Sequence, residues 1–322
     1  MVAIEQIDVH DDNQLRAWYA VETASVLHDR PDGAHRTFEA LAASVQNPSS
    51  QRRWVLLAAK IDQVTVGIAE LTLHRGDNAH VVDLEIHVAP QQRRRGTGRA
   101  LHDAADRIRR EERCTTCLGE VSVPPEAALA FAEAMGFEVA HEEDHLVLDL
   151  PAAPSAGPVA QGYEVLVWPG ACPEELLESY VRLHNQMEAD VPVGEVERAA
   201  TVHTPESIRE SETRTGRSYD RVTAAVRHVA TGEWAGYSLV FVPRGSDEAI
   251  QDDTLVMPAH RGHGLGHALK VATLDAVSAA YPHLRRWHTW TDPENSAMQR
   301  ANRAFGYRAV ERMVEVQRRD PA

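Results

Sequence analysis

A chain of 322 residues, 43% hydrophobic and 25% charged, suits two globular domains, and its three cysteines are too few for a disulfide framework. A formal net charge of −15 excludes a nucleic-acid surface built on counterion release, and no apolar run approaches the roughly 20 residues that span a bilayer. With no signal-peptide layout in Met1 to His10, a reduced, cytoplasmic setting is expected, with neither nucleic acid nor membrane as partner.

The pattern predicts a strand from Ile4 to Val9, a helix from Asp12 to Leu27, and strands at Trp54 to Ala59, Val64 to Leu73 and Val81 to Val88. Along the last of these, Val82, Leu84, Ile86 and Val88 share an apolar face, which turns Glu85 and His87 to the other side. A glycine loop, Arg93-Arg94-Arg95-Gly96-Thr97-Gly98, then opens an amphipathic helix marked by Ala100, Leu101, Ala104, Ala105 and Ile108. Cys114 and Cys117 read as packing cysteines, because no second Cys or His pair stands at finger-like spacing. A helix from Ala127 to Met135 ends in Gly136-Phe137, and the strand-like Leu146 to Leu150 closes a first domain, 1–150. Positions 151–158 carry three prolines and a glycine without a large apolar residue, which reads as a linker to a second domain, 159–322.

The second half repeats the order. A strand from Tyr163 to Trp168 and a helix from Pro173 to Met187 come before strands at Val222 to Val229, Trp234 to Val242 and Asp252 to Val256. Between them Ala189 to Tyr219, rich in Glu, Thr, Arg and Ser, reads either as a substrate-gating loop containing a helix or as a solvated excursion. Next come Arg261-Gly262-His263-Gly264-Leu265-Gly266, a helix marked by Ala268, Leu269, Ala272, Ala276 and Val277, a strand with Trp287 and Trp290 as core and pocket wall, and a helix from Asn295 to Phe305 ending in Gly306-Tyr307. The two loops lie 168 positions apart with valine, proline, arginine, both key glycines and a closing Ala-Leu in register, so the chain is a duplicated module.

Glycines at a strand-to-helix turn expose consecutive N–H groups at the positive end of a helix, a geometry suited to pyrophosphate. Leu101 and Leu269 stand where a dinucleotide fingerprint needs its third glycine. The only lysines are Lys60 and Lys270, so a P-loop is excluded as well. His260, His263 and His267 have ligand-like spacing, but no carboxylate completes a shell, and no metal is expected.

The remaining pattern, Arg-x-x-Gly-x-Gly after a strand ending Val-x-Pro and before a late helix ending in Gly-aromatic, resembles the GNAT acyltransferase superfamily in both halves. The resemblance implies an α/β (α+β) chain of two tandem GNAT-like domains, each a mixed, mostly antiparallel sheet flanked by helices, similar in architecture to tandem proteins of the mycothiol synthase type. It implies acetyl-CoA, or another acyl-CoA, held at Val88, Arg93, Arg94, Arg95, Gly96, Thr97 and Gly98 in the first half. In the second half the matching positions are Val256, Arg261, Gly262, His263, Gly264, Leu265, Gly266 and the helix-capping Asn295. Acyl transfer to a primary amine, of a small molecule, is the implied activity.

Asp253 and Glu85 each stand three positions before the strand's closing valine, where many GNAT enzymes carry the carboxylate that takes the amine's proton. A carboxylate of pKa near 4 is a poor base for an amine near 10.4, so it needs burial to raise it or a bridging water. Asn302 completes the candidate catalytic set, although an amide cannot replace the tyrosine acid usual at that place, and Ala132 stands there in the first half. With Pro124 and Pro125 near the spot matching Asn295, the first half is expected to hold cofactor at most, and the second to be catalytic. The alternatives are a non-catalytic CoA-binding or scaffold protein, activity in the first half, or protein amines as substrates.

Overall fold

The computed structural model describes residues 2–47, 49–152, 159–191 and 194–320. In chain order the elements are β1 (Ala3–Gln6), α1 (Asp12–Asp29), α2 (Phe38–Gln46), β2 (Arg52–Ile61), β3 (Val64–His74), β4 (Val81–Val88), α3 (Thr97–Glu111), β5 (Thr116–Val123), α4 (Glu126–Ala134) and β6 (Glu138–Asp149). They continue as β7 (Tyr163–Pro169), α5 (Leu177–Asp190), α6 (Pro205–Thr215), β8 (Tyr219–His228), β9 (Trp234–Pro243), β10 (Glu248–Val256), α7 (Leu265–Ala280), β11 (Arg286–Thr291), α8 (Ser296–Phe305) and β12 (Arg308–Arg319). The segment from Ala189 to Tyr219 thus contains α6, started by a reciprocal cap between Thr204 and Ser207. Its first turn was legible in Thr204-Pro205, as was that of α2 in Thr37, whose hydroxyl accepts from the Ala40 N–H.

Two compact units form. Unit 1 is Met1–Asp144 with Val193–Ala199 and Val310–Ala322, and unit 2 is His145–Pro192 with Ala200–Ala309. Chain order alone suggested a division at 150 and 159. The units instead divide β6 after Asp144 and give most of β12 to unit 1, where Arg312 to Arg319 pair antiparallel with β5. Such an exchange leaves no mark in local periodicity. Of the expected linker, 153–158 lie outside the described residues.

Within unit 1, β1 to β4 pair antiparallel in sequence order, and β4 runs parallel to β5. Both faces of this sheet are covered, which the alternation in β2 makes plain. Leu56 packs with Leu15, Trp18, Leu41 and Ile68 beneath α1 and α2, while Val55 and Leu57 pack with Leu71, Leu101 and Phe137 beneath α3. Unit 2 repeats the plan with β7 to β10 antiparallel and β11 parallel to β10. There Trp168, Tyr180, Leu239 and Leu255 pack on the α5 side, and Val240, Leu274 and Trp287 on the α7 side. Each unit is therefore a mixed, mostly antiparallel set of strands flanked by helices, as expected. No helix among the described residues is long and apolar enough to cross a membrane.

All three cysteines are buried and free, and burial pushes the Cys117 and Cys172 thiols up to about 12, which leaves them inert packing groups.

Candidate active site

Each glycine loop ends on a residue in the left-handed region, Gly96 at φ 85° and Gly264 at φ 71°, and no side chain caps the helix that follows. The first-turn N–H groups of α3 and α7 are consequently free for an anion. A Cβ built on Gly262 or Gly264 would meet nothing within 4 Å, so space for a ligand lies directly over the backbone. Where unit 2 has Gly262 at φ 83°, unit 1 puts Arg94 at φ 61°. Arg94 and Arg95 are exposed and available to phosphate.

The first arginine of each loop does something else. Arg93 Nε donates to the Val88 carbonyl at 3.0 Å and its terminal nitrogens to Asp29 at 2.8 and 2.7 Å. Arg261 Nε donates to the Val256 carbonyl at 3.1 Å and Nη2 to Asp190 at 2.5 Å. Asp29 and Asp190 are the last residues of α1 and α5, so duplication preserved the whole tether. Arg93 and Arg261 therefore tether the loops to α1 and α5, which occupies the guanidinium groups expected at phosphate. His263 points Nδ1 at the carbonyls of His260 and Arg261, at 3.2 and 3.1 Å, while His260 is buried against the Tyr163 hydroxyl at 2.9 Å. Thr97 is buried, Leu265 packs beneath the sheet, and Gly98 and Gly266 lie against Val88 and Val256 respectively. All of these line the loop from below.

Beside each loop the parallel strands separate. Pairing of β4 with β5 covers Val81 to Asp83 only, and that of β10 with β11 covers Glu248 to Ile250 only. Beyond these points both strand pairs leave backbone groups open on a V-shaped gap next to the helix N-terminus. A pantetheine-like arm with its amides fits such a gap.

Unit 2 differs from unit 1 at the gap's edge. Between Gln251 and Thr254 the register against β9 shifts, so Asp252 and Asp253 together face the single residue Leu239 in a β-bulge. Gln251 pins it, its Nε2 reaching Ser238 Oγ, the Leu239 carbonyl and the Asp253 carbonyl at 3.0, 2.7 and 3.0 Å. In β4 the register runs unbroken from Val82 to Val88. The bulge re-aims Asp253, whose Oδ2 accepts from the Tyr237 hydroxyl at 2.6 Å. The same hydroxyl lies 3.2 Å from Nδ1 of His184, and the His203 ring lies tilted beside that imidazole at 5.3 Å between centroids.

Burial raises Asp253, with the Tyr237 hydrogen bond opposing and the Glu188 charge assisting. Burial and the Asp253 charge push Asp252 up to about 7. Burial, then His203 and Arg221, lowers His184 to about 3, so that ring is neutral at physiological pH. The raised carboxylate that amine deprotonation needs is thus present on β10.

Glu85 sits in a more highly charged cleft. It pairs across strands with Glu70 and leaves more than half of its side chain accessible. Arg36 joins Glu22 and Glu70 at 2.6 and 2.5 Å, and Arg30 holds Glu311 at 2.7 Å. The hydrogen bond from His87 favours its charged form and holds Glu85 well below the usual carboxylate range, which suits it poorly to take a proton. Glu120 on β5 moves the other way, up to about 7, through burial and the Glu85 charge. Ligand atoms of Glu22, Glu85 and His87 approach within 4.8 Å of one another, but Glu22 already shares its carboxylate with Arg36.

Asn295 caps α8, Oδ1 accepting from the Met298 N–H at 3.1 Å, whereas α4 begins at Pro125 with no side-chain cap. Asn302 is a correction. It is fully buried, its amide receives the Lys270 ammonium at 2.6 Å and donates to Thr291 Oγ1 at 2.8 Å, and neither end is left for a reacting group. Its partner Lys270 is buried too, which lowers its pKa from 10.5 to about 8. Because the folded value lies below the unfolded one, charged Lys270 opposes folding below about pH 8, and this is relieved as pH rises towards 10.5. Wild type should gain about 2–3 kcal/mol on Lys270→Met over that interval, read from paired urea unfolding curves, and a constant difference would contradict it.

Sequence reasoning missed Tyr237, His184, His203, Asp252 and Gln251. Only the doubled aspartate carried a signal, since two acids side by side in a strand break alternation.

A sequence model of the acetyltransferase (GNAT) family matches residues 13–137. The structure of a tandem GNAT protein from the clavulanic acid biosynthesis pathway, determined without AcCoA, superposes over 100% of both chains with a TM-score of 0.84 and 26% identity. A GCN5-related N-acetyltransferase from Sphaerobacter thermophilus superposes over 100% of this chain and 97% of its own, with a TM-score of 0.73 and 14% identity. No curated protein matches in sequence. Residues 13–137 thus form a GNAT domain, in a chain that is similar over its whole length to a tandem GNAT protein.

Proposed function

We propose that unit 2 transfers an acyl group from acetyl-CoA, or another acyl-CoA, to a primary amine of a small molecule, with Asp253 as base. The observation that carries this reading is the bulge on β10, which sets a raised carboxylate on the strand that leads into the Gly264 helix start. The thioester supplies an activated acyl carbon. Asp253 takes one proton from the acceptor ammonium; the amine nitrogen then bonds to the acyl carbon as the carbon–sulfur bond breaks, and the second nitrogen proton goes to the thiolate, directly or through water. Holding both reactants in the gap supplies much of the acceleration. Asp252, Asp253 and Glu188 give the acceptor side a negative field that suits a cation, in keeping with the net charge of −15. Release of free thiol from acetyl-CoA, measured against a panel of amines, tests the activity.

A second reading places turnover in unit 1, favoured by the family match over 13–137 and by Glu120 near 7 across from Glu85. The expected result separates the two. Gly96→Val, which forces a β-branched residue into φ 85°, should leave thiol release within about threefold of wild type, as for a site remote from the chemistry. Loss of turnover in that variant, with Gly264→Val unaffected, would move the reaction to unit 1.

A further inference from the structure

Asp253 does not stand alone on its strand. Tyr237 lies on the neighbouring β9, fully buried, and donates to Oδ2 at 2.6 Å, while His184 reaches it from α5. A phenol has one proton. With that proton on Asp253, the 3.2 Å contact must run from His184 Nδ1–H to the Tyr237 oxygen, which fixes the tautomer and leaves His184 Nε2 as a lone-pair nitrogen. That nitrogen is buried without a hydrogen-bond partner, and an unpaired acceptor there is tolerated better than an unpaired N–H. Edge contact with Tyr180, centroids 4.4 Å apart, holds the imidazole plane.

Resting on the reading of Asp253 as base, we infer that Tyr237, oriented by His184, is its positioning residue: the hydroxyl occupies Oδ2 and presents Oδ1 to the acceptor ammonium. Without it a carboxylate on a bulge could rotate about its terminal torsion, which is broad and roughly two-fold. The hydrogen bond also favours the ionised form. Burial raises Asp253 and Tyr237 opposes that rise, so the base stays ionised to lower pH than burial alone would allow. The other charged or titratable groups around the pair are Asp252 beside it, Glu188 and Tyr180 on α5, His203 before α6 and Arg221 on β8. Of these, Glu188 acts with burial, His203 acts with Tyr237, and Arg221 draws Asp252 down.

The test is a carboxyl-carbon NMR titration of the full chain labelled at aspartate, with the Asp253 signal identified by its loss in Asp253→Asn. Tyr237→Phe keeps the ring and removes only the donor. Its Asp253 midpoint should move up by about one to two units, the worth of a hydrogen bond to a charged group. His184→Leu should move it the same way by less, and serves where Tyr237→Phe fails to fold. An Asp253 midpoint unchanged in the folded variant overturns the inference. Thiol release separates that failure from the other one: a slow Asp253→Asn with an unshifted Tyr237→Phe removes only the role of Tyr237, whereas wild-type turnover in Asp253→Asn removes Asp253 as base and this inference with it.

Discussion

Asp253→Asn is expected to lower kcat by about 10²–10⁴-fold, the usual worth of general base catalysis, while CoA affinity stays within error of wild type. The amide keeps the shape and can still accept from Tyr237, so the loss isolates the proton acceptor. Residual activity should rise with pH as free amine becomes available. A second signature separates lost chemistry from lost fold. Because the folded pKa of Asp253 lies above its unfolded value, ionised Asp253 opposes folding, and the stability it contributes below its unfolded pKa is lost as pH rises through the raised one. The variant should therefore melt at or above the wild-type temperature at pH 7 while turning over far more slowly. Turnover near wild type at pH 7 would make Asp253 a structural carboxylate.

The paired change Gly264→Val, Gly266→Val should weaken CoA binding at unit 2 by about 10²–10⁴-fold, corresponding to two lost hydrogen bonds to a charged group. At Gly264 the φ of 71° strains a β-branched residue, so the loop must move. At Gly266 a Cβ would meet Val256 Cγ2 at 3.7 Å and Thr254 Cγ2 at 4.0 Å, ordinary contacts, so the branched remainder of a valine must crowd β10 beside the loop. Calorimetry with CoA reads this directly. If unit 1 binds as well, the wild-type stoichiometry of two should fall to one. Unchanged affinity in a variant with wild-type circular dichroism would remove the loop from the cofactor site.

The fold was legible because its signals are local. Strand alternation, the glycines at the helix starts and the Gly-aromatic endings are each contained in a few consecutive residues, and the duplication let one half support the other. The loop tethers were half legible: Arg93 and Arg261 were singled out, but their partners Asp29 and Asp190 lie 64 and 71 positions away, and nothing local marks those acids. Asp253 was found by its offset from Val256. Its bulge was not, because a register shift is a property of two strands and Gln251 pins it through Leu239 and Ser238. Tyr237 and His184 belong to the same class of facts. Asn302 misled because its place in the motif suggested an active-site role, while the buried ammonium of Lys270 claims its carbonyl.

The tether from Arg261 to Asp190 makes α5 a common shaft for the two sides of the reaction. One end is clasped to the cofactor loop, and six residues earlier, roughly 9 Å along the axis, His184 meets Tyr237. A helix transmits displacement along its length with little compression, so a loop drawn onto a phosphate carries His184 with it. One rigid element thus joins Arg261 of the glycine loop to the Tyr237 hydroxyl that holds Asp253.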